Sequence, residues 1–202
     1  MDRTCKIGTS KFFIPLILIL IICQLFTYSP VSATIVKYLS IDELVHQADL
    51  IVLGTCERII SAWDREKKNI YTFITVIPQR CLKGGECPPL IRIRQLGGAM
   101  DNLAMTIAGS PKFNPNEKVV LFLSRSGDTF YRVIGLSQGK FSVLERGPGE
   151  KPYVKRDLND LTFINRGDTG SQIESRDLSE LKVDLEAFIT KIESFRGQTN
   201  EL

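Results

Sequence analysis

The sequence predicts a mainly β fold in which six to seven short strands form an antiparallel barrel or sandwich. Between residues 50 and 155, short stretches rich in β-branched and alternating apolar residues are separated by turns built from Gly, Pro, Asn and Asp. One apolar pattern with helical spacing precedes these stretches, and another follows them. We therefore expect a β domain with a short N-terminal helix and an amphipathic C-terminal helix.

Residues 1–33 predict a secretory signal peptide, because a basic head precedes an apolar run over 12–23 and small residues close the segment. Cleavage after Ala33 would leave Thr34 as the first mature residue. The mature protein is then expected to be exported, to the periplasm or out of the cell. A retained anchor, which would hold the domain at a membrane, is the alternative. Its apolar run, at 12–26, is shorter than the roughly 20 residues that span a bilayer.

The rest of the chain divides into a β-barrel domain over 34–164, a polar linker over 165–176 and a helix over 177–197. Three of the 26 basic residues and one of the 23 acidic residues lie in the leader, so the mature chain is nearly neutral. Nucleic acid would call for a clustered basic surface, and the longest basic cluster in the sequence, at 65–68, is a short charged turn. Nucleic acid is therefore not an expected partner.

Export also decides how the cysteines are interpreted. Cys5 and Cys23 leave with the signal peptide, so the mature chain keeps Cys56, Cys81 and Cys87. Cys81 and Cys87 bracket a glycine-bearing loop that can bring them within disulfide range, and exported thiols tend to pair. Cys56 lies in an apolar strand, where a buried inert thiol is expected. Zinc is not expected, because the spacings contain no C-x-x-C pair and the chain has one histidine.

The expected elements follow from local patterns. Ser40 and Glu43 have the spacing of a capping box, and the apolar positions behind them share one helical face. The stretches 50–60 and 70–78 form a predicted hairpin, and strict alternation over 90–96 indicates a strand with one wet face. The later predicted strands cover 118–123, 130–136, 140–144 and 153–155.

The C-terminal segment carries an apolar stripe at helical spacing. Such a stripe either packs back on the barrel or drives self-association as a coiled coil. Packing on the barrel is favoured, because the pattern lasts fewer than three heptads. The stripe consists of Leu178, Leu181, Leu185, Phe188, Ile192 and Phe195.

Short motifs also occur along residues 34–143 in a characteristic order: Ala48-Asp49-Leu-Ile-Val-Leu-Gly54, Ile70-Tyr-Thr, Leu82-Lys-Gly84, Gly97-Gly98, Gly109-Ser-Pro-Lys-Phe113, Glu117-Lys-Val-Val-Leu-Phe-Leu123, Val133-Ile-Gly135 and Gln138-Gly-Lys-Phe141. In this order they resemble a family of uncharacterised exported bacterial proteins. The first strand and the downstream Leu-Lys-Gly are also similar to the netrin-like modules of tissue inhibitors of metalloproteinases. That second resemblance implies an OB-like antiparallel barrel. The amino-terminal cysteine that chelates the protease zinc in those inhibitors has no counterpart here, since Thr34 is the predicted mature terminus.

The sequence offers no complete catalytic set. His46 is the single histidine, so Ser-His-Asp and Cys-His arrangements lack their base. Glu43 and His46 lie three residues apart, as in half of a carboxylate metal site, but no second such element is present. Neither a metal nor a cofactor is expected. An enzyme using dispersed carboxylates, or a metal site near His46, remains the alternative class.

Two places are candidate binding surfaces. The segment 97–113 is long for a hairpin connection and carries methionines, which adapt to irregular partners. A core plug at one end of the barrel is the alternative interpretation of this segment. Trp63 adjoins a charged turn and is either a partner's anchor or a cover for the barrel edge. The candidate binding residues are Trp63, Met100, Leu103, Met105 and Phe113.

The leading hypothesis is an exported, non-enzymatic module that binds a protein or an envelope component through loops at one barrel end. A protease-inhibitor-like role is one concrete version and rests on fold analogy. The third hypothesis is a structural subunit that assembles through the C-terminal helix.

Overall fold

The computed structural model describes residues 34–164, 172–173 and 182–199. The predicted signal peptide, and the predicted linker apart from residues 172–173, lie outside these ranges. In chain order the elements are β1 (Thr34–Lys37), α1 (Ile41–Gln47), β2 (Leu50–Trp63), β3 (Ile70–Lys83), β4 (Ile91–Leu96), β5 (Gly98–Met100), β6 (Leu103–Met105), β7 (Lys118–Ser126), β8 (Phe130–Val133), a 3-10 helix (Leu136–Gly139), β9 (Lys140–Leu144), β10 (Tyr153–Lys155), β11 (Leu161–Ile164), β12 (Gln172–Ile173), β13 (Val183–Asp184) and α2 (Leu185–Thr199).

Five strands close into a barrel in the order β7-β2-β3-β4-β8, and β8 pairs again with β7. All of these pairs are antiparallel except β4 with β8, which meet in parallel at Ile93 and Tyr131. Numbered in chain order, the strands follow each other as 1-2-3-5-4 around the barrel, which is the Greek-key order of an OB barrel. The predicted mainly β, OB-like fold is confirmed.

Strand β7 divides the sheet. Its first half, at Val119 to Leu121, pairs with β9. Its second half, from Leu123 onward, pairs with β8 on the same edge and closes the barrel. From β9 the sheet continues through β10 to β13. The barrel therefore carries an open sheet as an extension, and an outer layer packs on the junction.

Two cores share the walls of β2 and β7, whose alternate residues point to opposite sides. The barrel interior contains Leu50 and Val52 of β2 and Leu121 of β7. The outer core contains Ile51 of β2 and Phe122 of β7, covered by both helices. Because these strands are buried on both faces, their sequences are continuous apolar runs rather than alternating ones.

Helix α1 begins with the predicted capping box. Ser40 Oγ accepts from the Glu43 backbone N–H, and the Glu43 carboxylate accepts from the Ser40 N–H at 2.9 Å. Leu44 and Val45 of α1 are buried in the outer core. These local hydrogen bonds occupy backbone donors that a helix start leaves unpaired, so the boundary read from the sequence is confirmed.

Helix α2 begins at Leu185, later than the predicted start at 177. Val183 pairs with Val154 of β10, so a short strand occupies the preceding positions. Within the helix, Phe188 and Ile192 are buried in the outer core. This packing on the barrel is the alternative that the sequence favoured over a coiled coil. Leu178 and Leu181 of the predicted stripe lie outside the described residues.

The disulfide between Cys81 and Cys87 is present, as predicted, with 5.5 Å between the Cα atoms. It closes the turn after β3, where Gly84 has φ +111° and approaches α1's end closely. A Cβ at Gly84 would lie 2.7 Å from the Asp49 carbonyl oxygen, so no larger residue fits without a shift. In the predicted linker, residues 172–173 pair with β11 as β12.

Candidate functional site

The barrel mouth near the β2–β3 hairpin is covered by the small hairpin of β5 and β6, which occupies much of the segment singled out in the sequence. Thr72 Oγ1 donates to the Gly97 carbonyl oxygen at 2.7 Å, and the Gly97 N–H donates to the Ile70 carbonyl oxygen at 2.8 Å. A Cβ on Gly98 would lie 2.6 Å from Ser61 Oγ, so a glycine lets the hairpin rest directly on the barrel wall. Hydrogen bonds of the Gly97 backbone and the close approach of Gly98 to Ser61 and Thr72 therefore fix the position of the hairpin on the barrel.

A cleft of about 360 Å³ opens between this hairpin and the barrel interior; we call it the mouth cleft. Its lining is mainly apolar and backbone, which suits an apolar side chain of a partner. Gln95 is an exception, because its side-chain Oε1 is buried and accepts no hydrogen bond from the described residues. The lining residues are Ile59, Thr72, Gln95, Leu96, Gly97, Gly98, Ala99, Ala104, Met105, Thr106, Ile107, Ser110, Pro111, Lys112, Phe113 and Asp160.

The predicted binding residues divide between this cleft and its surroundings. Met105 and Phe113 line the mouth cleft. Trp63, Met100 and Leu103 do not belong to its lining, although Leu103 is 61% exposed on β6. Trp63 is half-buried at the end of β2, opposite Ile70. The structure thus brings together two of the five candidates at one cleft.

Phe113 connects the mouth cleft to the barrel interior. Its side chain packs against the interior core, and the Lys140 ammonium lies 5.3 Å from its ring centroid. The segment around it therefore serves in part as a plug of the barrel, the alternative interpretation of 97–113. It also forms a wall shared with a second, polar cleft.

The second cleft measures about 300 Å³, and we call it the polar cleft. It shares Ser110, Pro111, Lys112 and Asp160 with the mouth cleft. Lys112 Nζ lies 2.8 Å from Asp160 Oδ2 on this common rim, and the pair raises the pKa of Lys112 above its usual value. An apolar cavity and a polar one therefore adjoin across a charged, exposed rim.

A network of three side chains, of which Lys140 is buried and Glu117 and Ser142 are partly buried, forms the floor of the polar cleft. Glu117 Oε1 accepts from Lys140 Nζ and from Ser142 Oγ, each at 2.5 Å, and Lys140 Nζ also donates to Ser142 Oγ at 3.0 Å. The other Glu117 oxygen accepts from the Asn114 N–H at 3.0 Å. The network braces the turn before β7 against β9.

Cys56 lies in the interior core beside this network and carries a free thiol. Burial, and then the Glu117 carboxylate, raise the pKa of the Cys56 thiol to about 12. The thiol stays protonated at neutral pH, as expected for an inert buried cysteine.

Sequence reasoning missed Gln95, Lys112, Glu117, Lys140 and Ser142. One signal was available, since Lys140 and Ser142 are two apart in an otherwise apolar strand and so share a face. Their partner Glu117 lies 23 residues before Lys140, beyond the reach of local patterns.

The alternative hypothesis placed a metal site near His46, and in the structure His46 and Glu43 contact different partners. His46 Nδ1 lies 3.3 Å from Asp42, and both side chains are about half exposed. Glu43, the expected neighbour, bonds to Lys37 and the helix cap instead. Across the described ranges, no three His, Cys, Asp or Glu side chains are grouped so that they could hold a metal ion.

None of the described helices is long and apolar enough to cross a membrane. Comparison of the chain with protein-family models, with curated proteins and with solved structures finds no match.

Proposed function

We propose that this protein is an exported, non-enzymatic binding module that recognises a protein or an envelope component at the barrel mouth. The observation that carries the proposal is the mouth cleft of about 360 Å³, which is large enough for one or two side chains and is lined mainly by apolar groups and backbone. An apolar side chain of the partner enters this cleft, and the neighbouring part of the partner lies across the rim.

Two features give the cleft directional contacts. The buried Oε1 of Gln95 is an acceptor without a donor among the described residues, so a rotation of this side chain into the cleft would let it accept a hydrogen bond from the partner. The Lys112–Asp160 pair stands between the mouth cleft and the polar cleft, where it offers both charges to a polar group next to the inserted side chain. These contacts would fix the partner's orientation, while the apolar lining supplies most of the affinity.

The part of the cleft that is built on the barrel supports recognition. One wall comes from the barrel strands β2, β3 and β4 and from the hairpin joined to β3 through Gly97, and the rest comes from the connection 106–113 and from Asp160. Binding sites that need little rearrangement lose less conformational entropy on association.

The test uses a peptide selected from a phage-displayed library on the purified protein, with affinity measured by isothermal titration calorimetry. Ala104 is exposed and lines the cleft, so Ala104→Trp would fill it and lower the affinity about tenfold or more. Leu103→Trp places the same side chain one residue away, outside the lining, and should leave the affinity within about twofold.

Equal losses in the two variants would contradict the cleft as the binding site. Hydrolysis of the selected peptide by the purified protein would instead favour the enzyme hypothesis. Mass spectrometry of the peptide after incubation distinguishes that outcome.

A protease-inhibitor-like role is the more specific candidate, and one contact favours it. Thr34, the predicted first mature residue, donates from Oγ1 to the Ala108 carbonyl oxygen at 2.9 Å, and its N–H lies 3.4 Å from the carbonyl oxygen of Asp160, a residue of both clefts. A mature amino terminus would then emerge beside the mouth cleft. Inhibition assays against a panel of metalloproteases and serine proteases test this version, and no inhibition by the cleaved protein would exclude it.

A further inference from the structure

A second surface lies on the outside of the barrel, away from the helices. Strands β2, β3 and β4 present exposed arginines there, between apolar and aromatic side chains. We call this surface the arginine face. It consists of Arg58, Ile60, Tyr71, Phe73, Thr75, Arg92, Arg94, Leu96 and Phe130.

Strand register places these residues in rows. Arg58 lies opposite Thr75, which lies opposite Arg92. In the next row, Phe73 lies between Ile60 and Arg94. Neighbouring positions on these strands belong to the interior core, so the rows necessarily point outward.

Arg94 is held in place by aromatic rings. Its guanidinium lies 5.3 Å from the ring centroid of Tyr71 and 5.5 Å from that of Phe130. The ring of Phe130 also contacts that of Phe73, with 5.6 Å between centroids. A guanidinium stacked in this way is oriented before any ligand arrives, which favours two-pronged bonding to a carboxylate.

The charge of the face is uncompensated. Arg58, Arg92 and Arg94 form no ion pair with any acidic group in the described part of the chain. The nearest acid in sequence, Glu57, is exposed at the irregular register step of β2. A nearly neutral mature protein thus concentrates three unpaired positive charges on one face.

We propose that the arginine face docks an acidic segment of a partner protein. Arg, Tyr and Phe are enriched at protein interfaces, and Lys and acidic residues, which the face lacks, are depleted there. Ile60 and Leu96 are 45% and 40% exposed and flank the arginines, so the partner carries apolar side chains beside its carboxylates. A single-stranded nucleic acid stacks its bases on open aromatic faces, but Arg94 lies over two of the rings here.

The probe is a synthetic peptide that alternates glutamate with leucine, and its binding to the purified protein is followed by fluorescence anisotropy. We expect binding that weakens as salt is raised, and a loss of about tenfold or more in Arg92→Glu/Arg94→Glu. Arg58→Glu is a second variant and should also weaken binding, because Arg58 stacks on no aromatic ring within the described residues and its replacement removes the same charge without a lost ring contact. Lys155→Glu, on the exposed side of β10, makes the same charge change elsewhere and should leave binding within about twofold.

Three results would overturn the proposal: no binding of the peptide, equal loss in Lys155→Glu, or tighter binding of a sulfated polysaccharide or a single-stranded oligodeoxynucleotide of equal charge. Leu96 is the one residue that the arginine face shares with the lining of the mouth cleft. Because the three arginines lie outside that lining, the Ala104→Trp variant should bind the acidic peptide within about twofold of the natural protein, even though it blocks the mouth cleft.

Discussion

At the scale of single residues, the most informative side chain is Cys56. It is fully buried in the barrel interior, and its pKa is raised to about 12, first by burial and then by the Glu117 carboxylate. In the unfolded chain the same thiol ionises near its ordinary value of 9.0. Between these values the unfolded state loses a proton that the native state keeps, so the free energy of unfolding falls as pH rises.

We therefore expect the stability advantage of the natural protein over Cys56→Ala to shrink above about pH 9, by at most about 1.4 kcal/mol per pH unit. Urea denaturation of both proteins at a series of pH values measures this difference. Other titrating groups affect both proteins alike and cancel in the comparison. If the difference in the free energy of unfolding between the two proteins stayed constant above pH 9, the raised pKa of Cys56 would be contradicted.

The same scale shows what the sequence could and could not predict about the site. Met105 and Phe113 were candidates because apolar side chains in a long connection stand out locally, and both line the mouth cleft. The alternation over 90–96 puts Gln95 on the same face as Ile91 and Ile93, but nothing local indicates that its oxygen is left without a donor among the described residues. The Glu117–Lys140–Ser142 network depends on the pairing of β7 with β9. That pairing is a tertiary contact between segments that are distant in sequence, so local patterns do not predict it.

At the scale of elements, α2 is the clearest case of a segment whose stability comes from packing. Phe188 is buried, and its ring lies 4.6 Å from that of Phe141 and 6.4 Å from that of Phe122, centroid to centroid. Phe188→Ala should lower the free energy of unfolding by about 4 kcal/mol, through lost burial and the remaining cavity. Lys191→Ala, on the exposed side of the helix, should change it by less than about 0.5 kcal/mol. Urea denaturation of both variants measures these differences, and an m-value equal to that of the natural protein shows that stability alone has changed.

The two helices differ in how well their boundaries could be predicted. The start of α1 is encoded in neighbouring residues, Ser40 and Glu43, whose side chains bond to the helix backbone. The start of α2 is set by the pairing of Val183 with Val154 and by the Leu185 N–H, which donates to the Pro152 carbonyl oxygen at 2.9 Å. Those partners are remote in sequence, so the apolar spacing placed the helix correctly but extended it too far towards the N-terminus.

At the scale of the whole molecule, β2 and β7 form the common wall of both cores. Their backbone groups are paired on both edges, and their side chains are buried on both faces. Amide hydrogens of Val52 and Leu121 should therefore exchange only through global unfolding, whereas those of the two-stranded β5–β6 hairpin should exchange by local opening. Native-state hydrogen exchange measured by NMR tests this order. Comparable protection at the two places would contradict it.

The sequence predicted the fold class but left the closure of the barrel open. Short strands and turns restrict the architecture to a barrel or a sandwich, and the resemblance to netrin-like modules selected the OB-like barrel. The parallel contact of β4 with β8 closes the barrel, and it joins strands that the β5–β6 hairpin, a loop and strand β7 separate along the chain. No local pattern specifies that contact, nor the division of β7 between β8 and β9.

The outer core has a consequence for the order of folding during synthesis. Its first members, Leu39 and the buried residues of α1, are synthesised early, and the core is complete only at the moment when α2 has been synthesised. The five barrel strands can pair before that moment, but the apolar outer wall of β2 and β7 then faces solvent. Until α2 is in place, that wall is an exposed apolar surface of the kind that promotes the aggregation of partly folded chains.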